Sequence, residues 1–119
     1  MGDRANIRIK QQYDETGNAT NLYIYLYSHW GGSDLPMVLQ MALKKKWRWD
    51  DPSYLTRIIF CEMVKDDVAG ETGYGIATSA PDNEHEYIDV DCEAQTVKIG
   101  DKHWTFKQYC EADLESLEY

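Results

Sequence analysis

The chain lacks long hydrophobic runs, since no apolar stretch approaches the roughly 18 residues of a membrane-spanning helix. Its N-terminal residues are polar and lack the apolar segment of a signal peptide. The sequence therefore predicts a protein that neither spans a membrane nor enters a secretory route, and a cytoplasmic location is expected.

Cysteine is scarce: Cys61, Cys92 and Cys110 are widely spaced and form no CxxC pair. An odd, dispersed set of this kind favours reduced thiols over a disulfide framework. Because free cysteine behaves as a small hydrophobic residue, Cys61 is expected in the core. The three histidines lie far apart in sequence, so neither a metal site nor a cofactor is predicted.

Positive charge is also in short supply, with 12 Lys and Arg against 21 Asp and Glu, a net charge of -9. A field of this sign repels phosphate backbones, so general nucleic-acid binding is not expected. The run KKKWR at residues 44–48 is the local exception.

What the chain does contain begins with alternating strands. Apolar residues alternate with polar ones over residues 5–9, and aliphatic residues alternate with tyrosines over residues 22–27. The turn-forming residues 13–18 separate these stretches. An antiparallel hairpin is predicted.

Helical spacing follows. Apolar residues from Leu35 to Leu43 recur at the period of an amphipathic helix, which Ser33 or Asp34 can cap. Asp51 followed by Pro52 is a strong start signal for a second helix. The inner face of that helix is predicted to consist of Leu55, Ile58, Ile59 and Met63.

The C-terminal part alternates again, with a weak strand from Ile76 and strands at 88–92 and 96–99. A helical turn is expected from Thr105, followed by a solvated and mobile acidic tail at 112–119. The predicted fold is therefore one α+β domain spanning 1–119. It has an antiparallel or mixed sheet of about five strands, in the order β-β-α-α-β-β-β, with two helices packed on one face.

The segment SHWGGSD at residues 28–34 joins a strand, a double-glycine turn and a helix start. Free backbone N–H groups at such a start bind anions, and Gly31 and Gly32 would permit close approach of a ligand. Trp30 could stack on a planar ring, and His29 could donate a proton. The alternative is a structural turn that needs glycine for a positive φ, with Trp30 in the core.

Further candidates complete a predicted pocket. Arg4 can contact a phosphate or carboxylate, with Asn6 on the same strand. Arg57 lies three residues after Tyr54 on the same side of the second helix. The alternative for the N-terminal segment is a surface ion pair of Asp3 or Arg4. The predicted ligand-binding residues are Arg4, Asn6, His29, Trp30, Gly31, Gly32, Tyr54 and Arg57.

The chain resembles a family of small uncharacterised proteins of bacteriophages and bacteria. Four blocks carry the resemblance: GDRANI at 2–7, YLYSHWGG at 25–32, WDDPSYLTRIIF at 49–60 and ETGYGI at 71–76. The resemblance implies a phage or bacterial origin, with the host cytoplasm as the location of a phage protein. It implies no catalytic role for any residue.

The predicted function is binding of a small anionic or nucleotide-like ligand, as a phage accessory or anti-defence factor. One alternative is an acidic inhibitor or adaptor that binds a basic host protein. A further alternative is a small hydrolase that uses His29. The tyrosines at 23, 25 and 27 would lie on one strand face, which leaves self-association open.

Overall fold

A computed structural model describes residues 2–11, 16 and 22–119. The described residues form a six-stranded mixed sheet in the spatial order β3-β2-β1-β4-β5-β6. The strands are β1 (Ala5–Lys10), β2 (Tyr23–Ser28), β3 (Tyr74–Ala77), β4 (Ile88–Asp91), β5 (Thr96–Ile99) and β6 (Lys102–Thr105).

The helices connect and cover the sheet. They are α1 (Leu35–Lys44), α2 (Pro52–Val64) and α3 (Phe106–Glu111), with a short 3₁₀ helix at Gly32–Asp34. Asp51 caps α2 as predicted, because its Oδ1 accepts a hydrogen bond of 3.1 Å from the N–H of Tyr54. Asp34 precedes α1, but its side chain makes no capping bond.

The core lies between the helices and one face of the sheet. Alternate residues of β1 are fully buried there, namely Ala5, Ile7 and Ile9. They pack with the predicted inner faces of α1 and α2 and with Phe106 and Tyr109 of α3. The alternation that predicts the strands therefore also assigns their buried face.

The centre of the sheet is a parallel pair formed by β1 and β4, in which Ile7 lies opposite Ile88. All the other strand pairs are antiparallel. A salt bridge between Arg8 and Asp89 crosses this parallel pair on the face opposite the core. Strands that are about 80 residues apart in sequence are thus joined by backbone and side-chain contacts.

The predicted α+β class with a mixed sheet is confirmed, and the sheet has six strands where about five were expected. The sixth strand, β6, follows a two-residue turn at Gly100 and Asp101, where Gly100 adopts φ +58. This is hairpin geometry that glycine supplies without steric cost. The helical turn expected from Thr105 is α3, whose first turn has a capping box formed by Thr105 and Gln108.

The acidic tail lies against the body of the protein. Leu114 is buried, and Tyr119 stacks on the ring of His85 with centroids 4.3 Å apart. The Tyr119 hydroxyl donates a hydrogen bond to the carbonyl oxygen of Gly32. The expectation that this segment is solvated is therefore wrong at Leu114 and Tyr119, whose apolar surfaces find partners across the chain.

Two sequence expectations concern other parts of the chain. The turn predicted at 13–18 lies, apart from Thr16, outside the described residues. Within the described residues, no helix combines the length and apolar character needed to cross a bilayer.

Candidate functional site

A basic concave surface lies where the segment after α1 meets α2. It encloses a volume of about 430 Å³, which is within the usual range for small-molecule sites. We call it the basic cavity, and its lining residues are Lys45, Lys46, Trp47, Arg48, Tyr54, Arg57, Ile58 and Cys61.

Tyr54 organises the cations of the basic cavity. The guanidinium carbons of Arg48 and Arg57 lie 4.7 and 4.8 Å from the centroid of its ring. Arg57 follows Tyr54 by one turn of α2, whereas Arg48 reaches the ring from the preceding loop. Since the π-face attracts cations, Tyr54 holds two like charges close together that would otherwise repel each other.

Acidic partners are missing from this group. Across residues 2–11, 16 and 22–119, no carboxylate forms an ion pair with Lys46, Arg48 or Arg57. Polar contacts with Tyr54 and then with Cys61 raise the pKa of Arg57, so this group is a permanent cation. Among the described residues, Lys46, Arg48 and Arg57 therefore give the cavity positive charge that no ion pair neutralises.

Lys45 is the exception. Its Nζ lies 3.1 Å from Oε1 of Glu62, whose other carboxylate oxygen lies 2.7 Å from Nζ of Lys65. The hydrogen bond from Lys65, together with Lys45, lowers the pKa of the buried Glu62. Glu62 thus remains a carboxylate that fixes Lys45 at the rim of the basic cavity.

The loop that carries the cations is strained. Lys46 and Arg48 adopt φ values of 60 and 58, in the left-handed region that side chains with a Cβ rarely occupy. Trp47 lies between them and is 59% exposed. Such conformations persist where surrounding contacts hold them, and they concentrate at binding sites.

Cys61 lies in this cavity and is exposed, so the expectation that it is a core residue is wrong. It follows Arg57 by four residues and shares the Arg57 face of α2, with Arg57 Nη1 at 3.6 Å from its sulfur. The residues of α2 that lie in the core include Leu55, Ile58 and Ile59.

Arg4 and His29 line a different cavity of about 500 Å³, which we call the sheet-end cleft. Its walls are Arg4, residues 27–29 at the end of β2 and residues of the segment 76–82. Arg4 Nη1 lies 3.9 Å from a carboxylate oxygen of Asp82. The ion pair proposed as the alternative for Arg4 is therefore present.

Within the described residues, the contacts of the His29 side chain are with aromatic rings. Its centroid lies 5.1 Å from that of Tyr27 and 6.4 Å from that of Trp30. The neighbouring Ser28 is buried, and its Oγ accepts a hydrogen bond of 2.8 Å from the N–H of Gly31. This arrangement pairs no nucleophile with a base at His29.

Backbone N–H groups of the turn before α1 donate hydrogen bonds to acceptors within the protein. Asp3 accepts hydrogen bonds from the backbone, with Oδ2 at 2.8 Å from Ser33 N and its carbonyl oxygen at 2.8 Å from Gly32 N. The Asp34 N–H donates to the carbonyl oxygen of Gly31 at 3.0 Å. Asp3 thus occupies the place where the sequence suggests an anionic ligand.

The double glycine at 31 and 32 permits close packing, and it is not needed for a positive φ. Gly31 has φ -118, and a Cβ on Gly32 would lie 2.6 Å from the carbonyl oxygen of Asp3. Trp30 is 62% exposed and lies over Gly73, which does adopt a positive φ of 78. The alternative that places Trp30 in the core is therefore wrong, because the side chain covers a loop and not the sheet.

Asn6 is fully buried on β1, although it belongs to the face opposite the core. Its Nδ2 donates to the carbonyl oxygen of Asp82 at 3.3 Å. The segment around Asp82 therefore covers this end of the sheet, and Asn6 lies beneath that segment and away from Tyr54 and Arg57.

His85 and Asp3 are joined by a hydrogen bond, with Nε2 at 2.5 Å from Oδ1. The hydrogen bond with His85, aided by Ser33, lowers the pKa of Asp3. Among the described residues, no three His, Cys, Asp or Glu side chains come close enough to share a metal ion.

Four of the eight predicted ligand-binding residues separate into two cavities, and Asn6, Trp30, Gly31 and Gly32 line neither of them. Tyr54 and Arg57 lie together in the basic cavity, whereas Arg4 and His29 lie in the sheet-end cleft. Sequence reasoning missed that residues 45–48 line the basic cavity, although their charge was visible as a local exception to the acidic composition. That contrast is the signal that could have identified them.

Comparison with known proteins finds no relative, because no family model, curated protein or solved structure matches the chain. The resemblance to phage and bacterial proteins stays a prediction that depends on the four sequence blocks.

Proposed function

We propose that the protein binds a small anionic ligand in the basic cavity. One observation carries the proposal: Arg48 and Arg57 lie over a single tyrosine ring and, among the described residues, pair with no carboxylate. Because Arg48 and Arg57 lie close together over one ring, their mutual repulsion has an electrostatic cost that an anionic ligand would relieve.

The geometry favours phosphate or carboxylate groups as the bound anion. A guanidinium that contacts an aromatic face keeps N–H donors at its edge for a charged acceptor. Lys46 adds an ammonium group at the same cavity wall. Closely spaced donors of this kind suit a ligand with more than one negative oxygen.

Isothermal titration with inorganic pyrophosphate at low salt tests the proposal. We expect Arg57→Gln and Arg48→Gln each to raise the dissociation constant by about 10-fold to 100-fold, the equivalent of one charge-assisted hydrogen bond. Arg4→Gln is the matched control, because it removes the same charge from the sheet-end cleft. It should leave the dissociation constant unchanged.

Alkylation provides a second readout, since Cys61 lines the basic cavity and is exposed. Bound pyrophosphate should slow modification of Cys61 by iodoacetamide. Mass spectrometry measures the rate of this modification. The proposal fails if pyrophosphate does not bind, or if Arg4→Gln weakens binding as much as Arg57→Gln does.

A protein-binding role is a second candidate, favoured by the face of the sheet opposite the core. Tyr23, Tyr25 and Tyr87 lie on this face around Arg8, whose guanidinium is 4.3 Å from the Tyr87 ring centroid. Tyrosine-rich surfaces are common in protein interfaces. A basic partner would bind with steep salt dependence. An affinity for the partner that does not change with ionic strength would argue against this role.

A further inference from the structure

Trp47 is the second notable component of the basic cavity, beside its cations. Its side chain is 59% exposed, whereas Trp49, two residues later, packs edge-on against Phe106 and donates its indole N–H to the carbonyl oxygen of Leu43 at 3.1 Å. The loop therefore packs one tryptophan, partly buried, against the core and leaves the other at the cavity. An exposed indole presents a large flat surface on which a planar ring can stack.

The Tyr54 ring does not offer the same surface. It already carries two guanidinium groups, so a planar ligand that approaches it meets Arg48 and Arg57. The cation that lies over the Trp47 ring is Lys45, whose Nζ lies 5.5 Å from the ring centroid and also pairs with Glu62. The two rings of the cavity therefore differ, because Tyr54 contacts two guanidinium groups and Trp47 contacts one ammonium group.

We propose, on the basis of the anion-binding function above, that the ligand is a nucleotide. Its base stacks on Trp47, and its phosphates bind Arg48 and Arg57, with Lys46 adding positive charge. A cavity of about 430 Å³ is large enough for one small ligand of this class.

The charge distribution favours a free nucleotide over a nucleic-acid strand. A strand that leaves the cavity would extend along a protein whose net charge is -9, and each additional phosphate would be repelled. A single nucleotide places its whole charge within the cluster of cations.

Titration of matched ligands tests the inference. Wild-type protein is titrated with adenosine triphosphate and with inorganic tripolyphosphate, which share the phosphate chain and differ in the nucleoside. Stacking of one base predicts about tenfold tighter binding of the nucleotide. In Trp47→Leu the two ligands should bind within about twofold of each other, because the platform for the base is gone.

Trp30→Leu is the matched control, since Trp30 is similarly exposed, at 62%, and lies outside the basic cavity. It should retain the preference for the nucleotide. Loss of the preference in Trp30→Leu, or its survival in Trp47→Leu, overturns the assignment of Trp47.

The remaining outcomes separate the two proposals. Equal binding of both ligands to the wild type, with loss in Arg57→Gln, overturns the nucleotide and leaves the anion site standing. Failure of both ligands to bind overturns both proposals. Tighter binding of a short single-stranded oligonucleotide than of the nucleotide would identify nucleic acid as the ligand and overturn the present inference.

Discussion

The basic cavity and the sheet-end cleft have similar volumes but differ in whether their arginines have carboxylate neighbours. In the cleft, Arg4 has Asp82 as a neighbour, and its backbone N–H donates to the Glu84 carboxylate at 3.2 Å. In the cavity, Arg48 and Arg57 are held by an aromatic ring and, among the described residues, by no carboxylate. An arginine with a carboxylate neighbour is partly neutralised already, whereas an arginine without one is available to an anionic ligand.

The two regions also differ in what lies beneath them. Ile58 contributes to the basic cavity from the core, at 4% exposure, whereas Ile76 of the cleft is 58% exposed. At these two isoleucines the cavity therefore borders the packed core, and the cleft borders exposed surface.

Truncation of these isoleucines should give the largest difference in stability. Ile58→Ala removes buried methyl groups and is expected to cost about 2–4 kcal/mol of unfolding free energy. Ile76→Ala should change it by less than about 0.5 kcal/mol. Urea denaturation followed by circular dichroism measures both, and similar losses would contradict the assignment of the cavity floor to the core.

Glu62→Gln should give a smaller loss of stability, concentrated at neutral pH. The charge-assisted hydrogen bonds to Lys45 and Lys65 are replaced by neutral ones, with an expected cost of about 1 kcal/mol because both lysines are partly exposed. The variant keeps the shape of the side chain, so the change reports on charge.

The pH dependence of the Glu62 effect has a definite sign. The pKa of Glu62 is lowered in the folded protein, so its carboxylate stabilises the fold above the ordinary value of 4.5. That stabilisation is lost as the pH falls from 4.5 through the lowered folded-state pKa. Melting curves of wild type and Glu62→Gln should converge in that acidic range, and a constant difference down to the lowest pH would contradict the role of Glu62.

Lys46→Gly should have the smallest effect on stability, and of opposite sign. Glycine relieves the left-handed strain at Lys46, for an expected gain of about 0.5 kcal/mol after its own entropic cost. The same change should weaken pyrophosphate binding. Lys44→Gly, at the last residue of α1, provides the control and should destabilise; a parallel loss in Lys46→Gly would show that the loop is unstrained.

Local sequence signals explain why α2 could be predicted in detail. Asp51 and Pro52 define its start, and the spacing of Leu55, Ile58 and Ile59 defines its buried face. The same periodicity correctly places Tyr54 and Arg57 on one side of the helix, because both line the basic cavity. Interactions between residues three or four apart are encoded locally.

Contacts between distant segments could not be predicted in this way. Asp3 contacts Ser33 and His85, which lie 30 and 82 residues away. Its carboxylate accepts the hydrogen bond of the Ser33 N–H, a group at the helix start that the sequence predicts to be free. Arg48 reaches Tyr54 because the loop turns through left-handed residues, which nothing in their residue types requires. The predicted site residues that line cavities therefore lie in two of them, Tyr54 and Arg57 in one and Arg4 and His29 in the other.

The β1–β4 pairing has a consequence for how the chain folds. On one side of it, β2 and β3 add to β1; on the other, β4, β5 and β6 are joined in sequence by short turns. The second group needs only local loop closure, but the central pairing must bring Ile7 to Ile88 across most of the chain. Because such closure is entropically costly, we expect it to limit the folding rate, with the β4–β6 meander forming first.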